Sequence, residues 1–286
     1  MLLFVSVVNS AAGSRQDQLS FLGIGARAMA MNGAYTAVSN DYAAPFWNPG
    51  AMDFFSTTKI GAMVTNMSLN RQLRFVSAAF PTNRWGAFAV AWTGFAVDDI
   101  EARNSNTPQP DRLFDYHENT FFLSYAYRIL PFLSLGATAK FLHFQVLEST
   151  ANGFGGDLGL LFALGKKARF GLAAKNLVSN LKWSTGTQEK YVPNYRLGIA
   201  IDPLSNFLVT ADYYQVRNSK GEISLATEFI ALNVFKIRCG IGRDRFSAGL
   251  GLTFQSKGLF LNINYAIATD QFGLGTSDGF DLSLVF

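Results

Sequence analysis

The sequence predicts an all-β membrane protein, an antiparallel β-barrel of about fourteen strands with a short helical N-terminal plug. Three observations carry that expectation. Hydrophobic residues make up 49% of the 286 and charged residues only 15%, well below the quarter usual in soluble domains. No apolar run reaches the roughly 20 residues a spanning helix needs. From Thr57 onward, side chains alternate with a period of two, the period of a strand with two different faces.

The alternation is cleanest near the C-terminus. Phe246, Ala248, Leu250, Leu252 and Phe254 share one face, and Ser247, Gly249, Gly251, Thr253 and Gln255 the other. Tyr195, Leu197, Ile199 and Ile201 oppose Arg196, Gly198, Ala200 and Asp202. Phe235, Ile237, Cys239 and Ile241 alternate with Lys236, Arg238, Gly240 and Gly242. One apolar face and one small or charged face fit lipid outside and a polar lumen inside. Strands are expected over 58–69, 71–81, 84–96, 117–129, 132–148, 153–165, 168–178, 190–202, 206–217, 222–230, 233–243, 245–256, 258–268 and 278–286. The second of these alternates poorly.

The connections sort by parity. Those after even strands are tight, as at Thr82-Asn83, Leu130-Pro131, Lys166-Lys167 and Ser256-Lys257. The long ones, 97–116, 178–189 and 269–277, all follow odd strands. That is the pattern of a bacterial outer-membrane barrel with both termini in the periplasm. The chain ends with Phe280, Leu282, Leu284 and Phe286 on one face. Such a strand suits capture by strand addition during membrane assembly.

The start of the chain reads differently. Residues 1–14 have a short apolar run and then Ser10-Ala11-Ala12, like the tail of a signal peptide. Residues 19–52 lack alternation; 26–38 tolerate a helix, Ser39-Asn40-Asp41 breaks it, and Pro45 and Pro49 impose turns. Irregular backbone cannot face lipid, and a barrel of this size encloses a channel unless something fills it. Residues 15–56 are therefore expected as a plug or hatch, and 57–286 as the barrel. Gly23-Ile24-Gly25-Ala26-Arg27-Ala28 also matches a dinucleotide-binding fingerprint, but the βαβ context that motif requires is missing.

Other chemistries find little support. Cys239 is the one cysteine, and His117 and His143 are far apart, so neither a disulfide framework nor a zinc site is expected. The net charge of +4 is scattered, which points to no nucleic-acid partner. No cofactor is expected. His143 and Ser149 lie close in sequence, but spacing alone makes no triad. Asp98, Asp99 and Glu101 lack calcium-loop spacing, and Arg243-Asp244-Arg245 reads as a hairpin turn. Phe114, Tyr116, Trp183 and Tyr191 are expected in the loops, as contacts for a ligand or partner protein or, for most of them, as interfacial girdles.

The N-terminal block is more specific. Phe21-Leu22-Gly23-Ile24-Gly25-Ala26-Arg27-Ala28, then Ala30 to Ala37, Asn40-Asp41 and Trp47-Asn48-Pro49, resembles the signature of the PorV/PorQ family, outer-membrane barrels related to the FadL fatty-acid transporters. Ser124 to Arg128, Asp157 to Leu161 and Gly171 to Leu177 continue the likeness. Asn32 stands where that family usually has Gly. The resemblance implies a non-enzymatic part in type IX protein secretion, docking a larger complex or its cargo. The alternative it implies is transport of fatty acids or other hydrophobic molecules, with Arg27, Asn40, Asp41, Trp47, Asn48 and Pro49 as hatch residues. The inward positions read from the clean strands are Gly, Ala, Ser, Lys, Arg and Asp, which leans toward the protein-partner role.

Overall fold

The computed structural model describes residues 14–15, 23–82, 84–105, 108–165, 167–242, 245–269 and 275–286. The stretch up to residue 13 that the sequence reads as a signal-peptide tail, Phe21 and Leu22, Asn83, Lys166, Arg243 and Asp244, and residues 270–274 lie outside them.

Fourteen strands form the wall: β1 Lys59–Met67, β2 Arg71–Thr82, β3 Gly86–Ala102, β4 Arg112–Leu130, β5 Leu133–Val146, β6 Ser149–Leu164, β7 Ala168–Trp183, β8 Asn194–Leu204, β9 Phe207–Val216, β10 Glu222–Ala231, β11 Phe235–Gly242, β12 Arg245–Ser256, β13 Leu259–Thr269 and β14 Thr276–Val285. Each pairs antiparallel with its sequence neighbours. The cylinder closes where β14 meets β1, with Phe280 opposite Val64 and Val285 opposite Lys59. Closure leaves no free sheet edge, which a wall in lipid demands.

The outer face is apolar. Along β4, Phe121, Leu123, Tyr125, Tyr127 and Ile129 all point outward and are about half exposed. That run of outward positions matches the ~9–11 tilted residues that cross a bilayer core. Around the barrel Val90, Phe141, Leu158, Leu197, Ile237, Leu250, Phe280 and Leu282 continue it. An apolar belt of that extent is stable facing lipid and not facing water.

Two loops are shorter than the alternation implied. Strands β3 and β4 stay paired out to Ala102 and Arg112, past a bulge that holds Asp99 at φ 57. The acidic run there hides the period. Strand β7 likewise continues to Trp183 beyond a register shift opposite Gly156 and Leu158, and a short strand, Gln188–Tyr191, folds back on it.

Residues 23–55 lie inside the cylinder. They form α1 Ala26–Ala30, α2 Ala44–Trp47 and a 3-10 helix Pro49–Phe54. The helix expected over 26–38 stops early because Asn32 and Gly33 turn left-handed, at φ 48 and φ 72. Asn tolerates that conformation better than other side-chain-bearing residues. The described chain begins at the opposite end of the barrel from where it finishes. Ser14–Arg15 pairs with Lys190 and Tyr191 at the long-hairpin end, whereas Phe286 bonds Thr58 at the tight-turn end.

Candidate functional site

The inserted segment is tied to the wall by a closed ring of polar contacts. Arg27 on α1 donates through Nε and Nη2 to the two carboxylate oxygens of Glu228 on β10, at 2.8 and 2.7 Å. Arg238 on β11 donates to Glu228 at 2.5 Å and to Asn264 Oδ1 on β13 at 2.8 Å. Asn264 donates to Asp281 on β14 at 2.7 Å. The other Asp281 oxygen accepts the backbone N–H of Ala26 at 2.7 Å, which returns to α1. Buried charges persist only when paired and hydrogen-bonded in this way.

Arg27 also holds the segment to itself. Its Nη1 reaches Asn40 Oδ1 at 2.5 Å and the Tyr35 hydroxyl at 3.1 Å. Tyr35 donates in turn to Asp41. Burial pushes the Tyr35 phenol up, against the pull of Arg27, so it stays protonated as that donor. Asp41 accepts the Ala43 N–H at 3.0 Å, which opens α2.

Beneath α2 the backbone of the segment lies directly on the backbone of the wall. Gly136 and Gly159 are cross-strand partners; a Cβ on Gly159 would stand 2.7 Å from Pro49 Cδ and 2.9 Å from Gly50 N. Gly171 and Gly198 form a second pair, and a Cβ on either would meet Ala37 N at 2.8 Å. Asn48 staples this seam. Its amide donates to Thr36 O at 2.9 Å and Leu160 O at 3.0 Å, and its Oδ1 accepts Gly50 N at 3.1 Å. Trp47, fully buried, donates to Ile24 O at 2.7 Å. The guanidinium of Arg196 lies 4.8 Å from its ring centre, within cation–π range.

The lumen has two unlike halves. Strands β8 to β14 present Arg196, Asp212, Glu228, Arg238, Asn264 and Asp281. Strands β1 to β4 present Met67, Leu73, Phe75, Phe95, Val97 and Phe122, packed into one cluster with the inserted segment and joined by Ile100 and Tyr116. The expectation of a uniformly small or charged lining is thus corrected. It came from the strands that alternate cleanly, which are those of the polar half. Strand β2 alternates poorly because Leu73 and Phe75 point in while Val76 and Phe80 point out. With both faces apolar, the period vanishes.

Of the residues singled out from the sequence, Arg27, Asn40 and Asp41 meet in one cluster, and Trp47, Asn48 and Pro49 in the seam. Their partners Glu228, Arg238, Asn264 and Asp281 were missed; a charge on the inward face of an alternating strand is the signal that could have found them. Tyr116, Trp183 and Tyr191 lie on strands rather than in loops. They are partly buried on apolar clusters at the long-hairpin end, where Arg15 stacks on Tyr116 and Phe144 and pairs with Glu118. His143 points outward with Nδ1 2.8 Å from Asn152 Oδ1. Phe280, Leu282 and Leu284 face out on β14.

Among known proteins, no family model and no curated sequence matches this chain. Solved structures do. The Ralstonia pickettii toluene transporter TbuX superposes with a TM-score of 0.62 over 93% of this chain and 98% of its own, at 12% identity. The Pseudomonas putida toluene transporter TodX gives 0.62 over 92% and 96%, at 13% identity. A Pseudomonas aeruginosa FadL homologue gives 0.61 over 92% and 98%, at 12% identity. The fold is therefore that of the FadL-like barrels, over nearly the whole length of each.

Proposed function

We propose that this barrel sits in the outer membrane, its long hairpins outside, and carries small hydrophobic molecules, with residues 23–55 as the hatch. The observation that supports this best is the apolar inward cluster of β1 to β4, which runs from the hatch toward the long-hairpin end. A polar solute gains nothing from such a surface, whereas an aromatic or acyl chain gains ~25 cal/mol for each Å² it buries. The similarity to toluene transporters points the same way, while the closed polar ring means that the hatch must shift before anything passes. No catalytic role is assigned to any residue. Uptake of radiolabelled toluene and of oleate by cells carrying the barrel, against cells carrying Phe95→Asp/Val97→Asp, tests it. Uptake above the empty-vector level that the double variant lowers several-fold supports the reading; uptake equal to the empty vector rejects it.

The PorV/PorQ-like block at 21–49 favours a second reading, a docking component of type IX secretion. Recovery of a much larger protein partner from native membranes, with no hydrophobic uptake, would favour that reading over transport.

A further inference from the structure

Asp98, Asp99 and Glu101 are neighbours in sequence, but the fold gathers a different set of donors. Strand β3 pairs with β4 at Val97–Tyr116 and at Ile100–Phe114, so the bulge between sets Asp98 and Asp99 together opposite Asp115. On β4, Asp115 and His117 are two residues apart and share a face, the one turned away from Tyr116 and Glu118. One ligand atom each from the Asp98 carboxylate, the Asp115 carboxylate and the His117 ring therefore lie within 4.8 Å of one another. The backbone beneath them is fixed: Asp98 N donates to Asn70 O at 3.2 Å, and Asp99 N to Asp115 Oδ1 at 3.1 Å. The other two acids of the run are engaged elsewhere. Glu101 pairs with Arg103 at 2.8 Å, and Asp99 accepts from Asn70 at 3.4 Å. Among the described residues, no hydrogen bond or ion pair engages the Asp98 carboxylate or the His117 ring. The cross-strand neighbours of His117 are Ala96 and Gln145, so the pairing sets no basic residue beside it.

We infer that Asp98, Asp115 and His117 form a site for a divalent transition-metal ion of the zinc type. The donor set decides the class. Calcium and magnesium take oxygen ligands, calcium six to eight of them, whereas one imidazole with two carboxylates suits zinc and its first-row neighbours. Two carboxylates held this close repel each other unless a cation lies between them. A tetrahedral zinc holds its ligand atoms roughly 3.4 Å apart and leaves its fourth position to water. The three side chains are exposed or half-exposed, so rotation about their own bonds closes the remaining distance. The bound ion ties β3 to β4 across the bulge. Val97, Ile100 and Tyr116 of the same stretch belong to the apolar lumen cluster, so the ion braces that cluster from behind at the long-hairpin end. The inference goes beyond the transport reading and does not depend on it.

The test is calorimetric titration of zinc chloride into the full-length barrel, purified in detergent without a polyhistidine tag and stripped with chelator. A Cys239→Ser background removes the exposed thiol. One zinc per chain is expected, with micromolar affinity. His117→Ala and Asp115→Asn are each expected to weaken it at least tenfold, whereas His143→Ala leaves it unchanged. Asp115→Asn keeps an oxygen acceptor for Asp99 N, so the bulge is retained and the loss reads the ligand rather than the fold. Cobalt(II) gives a second readout: the parent should show the visible absorption bands of a four-coordinate ion, and His117→Ala should lose them. No zinc binding, undiminished binding in both variants, or displacement of zinc by millimolar calcium overturns the inference. Because metal binding alone is read, each of these results leaves the transport reading untouched, and absent hydrophobic uptake leaves the metal site untouched.

Discussion

Arg27 and Glu228, 201 residues apart in sequence, meet in a two-pronged ion pair in which the carboxylate is only 4% exposed. One partner belongs to the inserted segment and the other to the wall, so the pair measures how firmly the lumen is filled. Arg27→Ala is expected to destabilise the barrel by about 3 kcal/mol, because removing one member of a buried pair strands the other. Glu228→Gln should cost at least as much, leaving both Arg27 and Arg238 short of a counter-charge. The double variant Arg27→Ala/Glu228→Gln should cost less than the two single losses added together. Urea unfolding in lipid vesicles checks the cycle, and simple additivity of the two changes would contradict a direct pair.

The seam at Gly159 makes a sharper steric demand. Gly159→Ala is expected to cost about 1–3 kcal/mol, since the new methyl would press on Pro49 and Gly50. Gly156→Ala, on the same strand, is the control. Its nearest neighbour would be Thr138 O at 3.9 Å, and it should be near neutral. Equal effects at the two positions, read from thermal melting of the heat-modifiable band, would argue against backbone contact across the seam.

Asn32 tests the left-handed turn that ends α1. Asn32→Gly should be tolerated within about 0.5 kcal/mol, whereas Asn32→Val should cost about 1–3 kcal/mol because a β-branched residue is strained at positive φ. The same melting measurement ranks the three.

At the other end of the chain we propose that the outward side chains of β14 act before the barrel closes. Phe286 is 54% exposed, so Phe286→Ser should leave the melting temperature of assembled protein unchanged. It should lower the folded fraction in cells several-fold. A drop in melting temperature with normal assembly would reverse that assignment.

The strand count and the tight turns were legible because a strand with unlike faces carries its period in the sequence. The hairpin β3–β4 was under-read because Asp98 and Asp99 fall on a bulge, where one extra residue breaks the period. The apolar wall was missed for the converse reason. Leu73 and Val76, or Phe95 beside an apolar outer face, give two faces of one kind and no alternation. The inserted segment was visible as a break in pattern, and Arg27 as an isolated charge within it. Glu228 could not be joined to Arg27 by spacing, because only closure of the barrel brings β10 against α1.

The account centres on residues 23–55 filling a lipid-embedded cylinder and having to move for solute to pass. An ideal Cβ on Gly279 of β14 lies 4.0 Å from Ala26 Cβ on α1, within the range a disulfide accepts. The most direct measurement is therefore toluene uptake by Ala26→Cys/Gly279→Cys in a Cys239→Ser background, oxidised and then reduced. Uptake lost on oxidation and restored by reductant is the expected result; uptake that is equal in the two states would contradict the account.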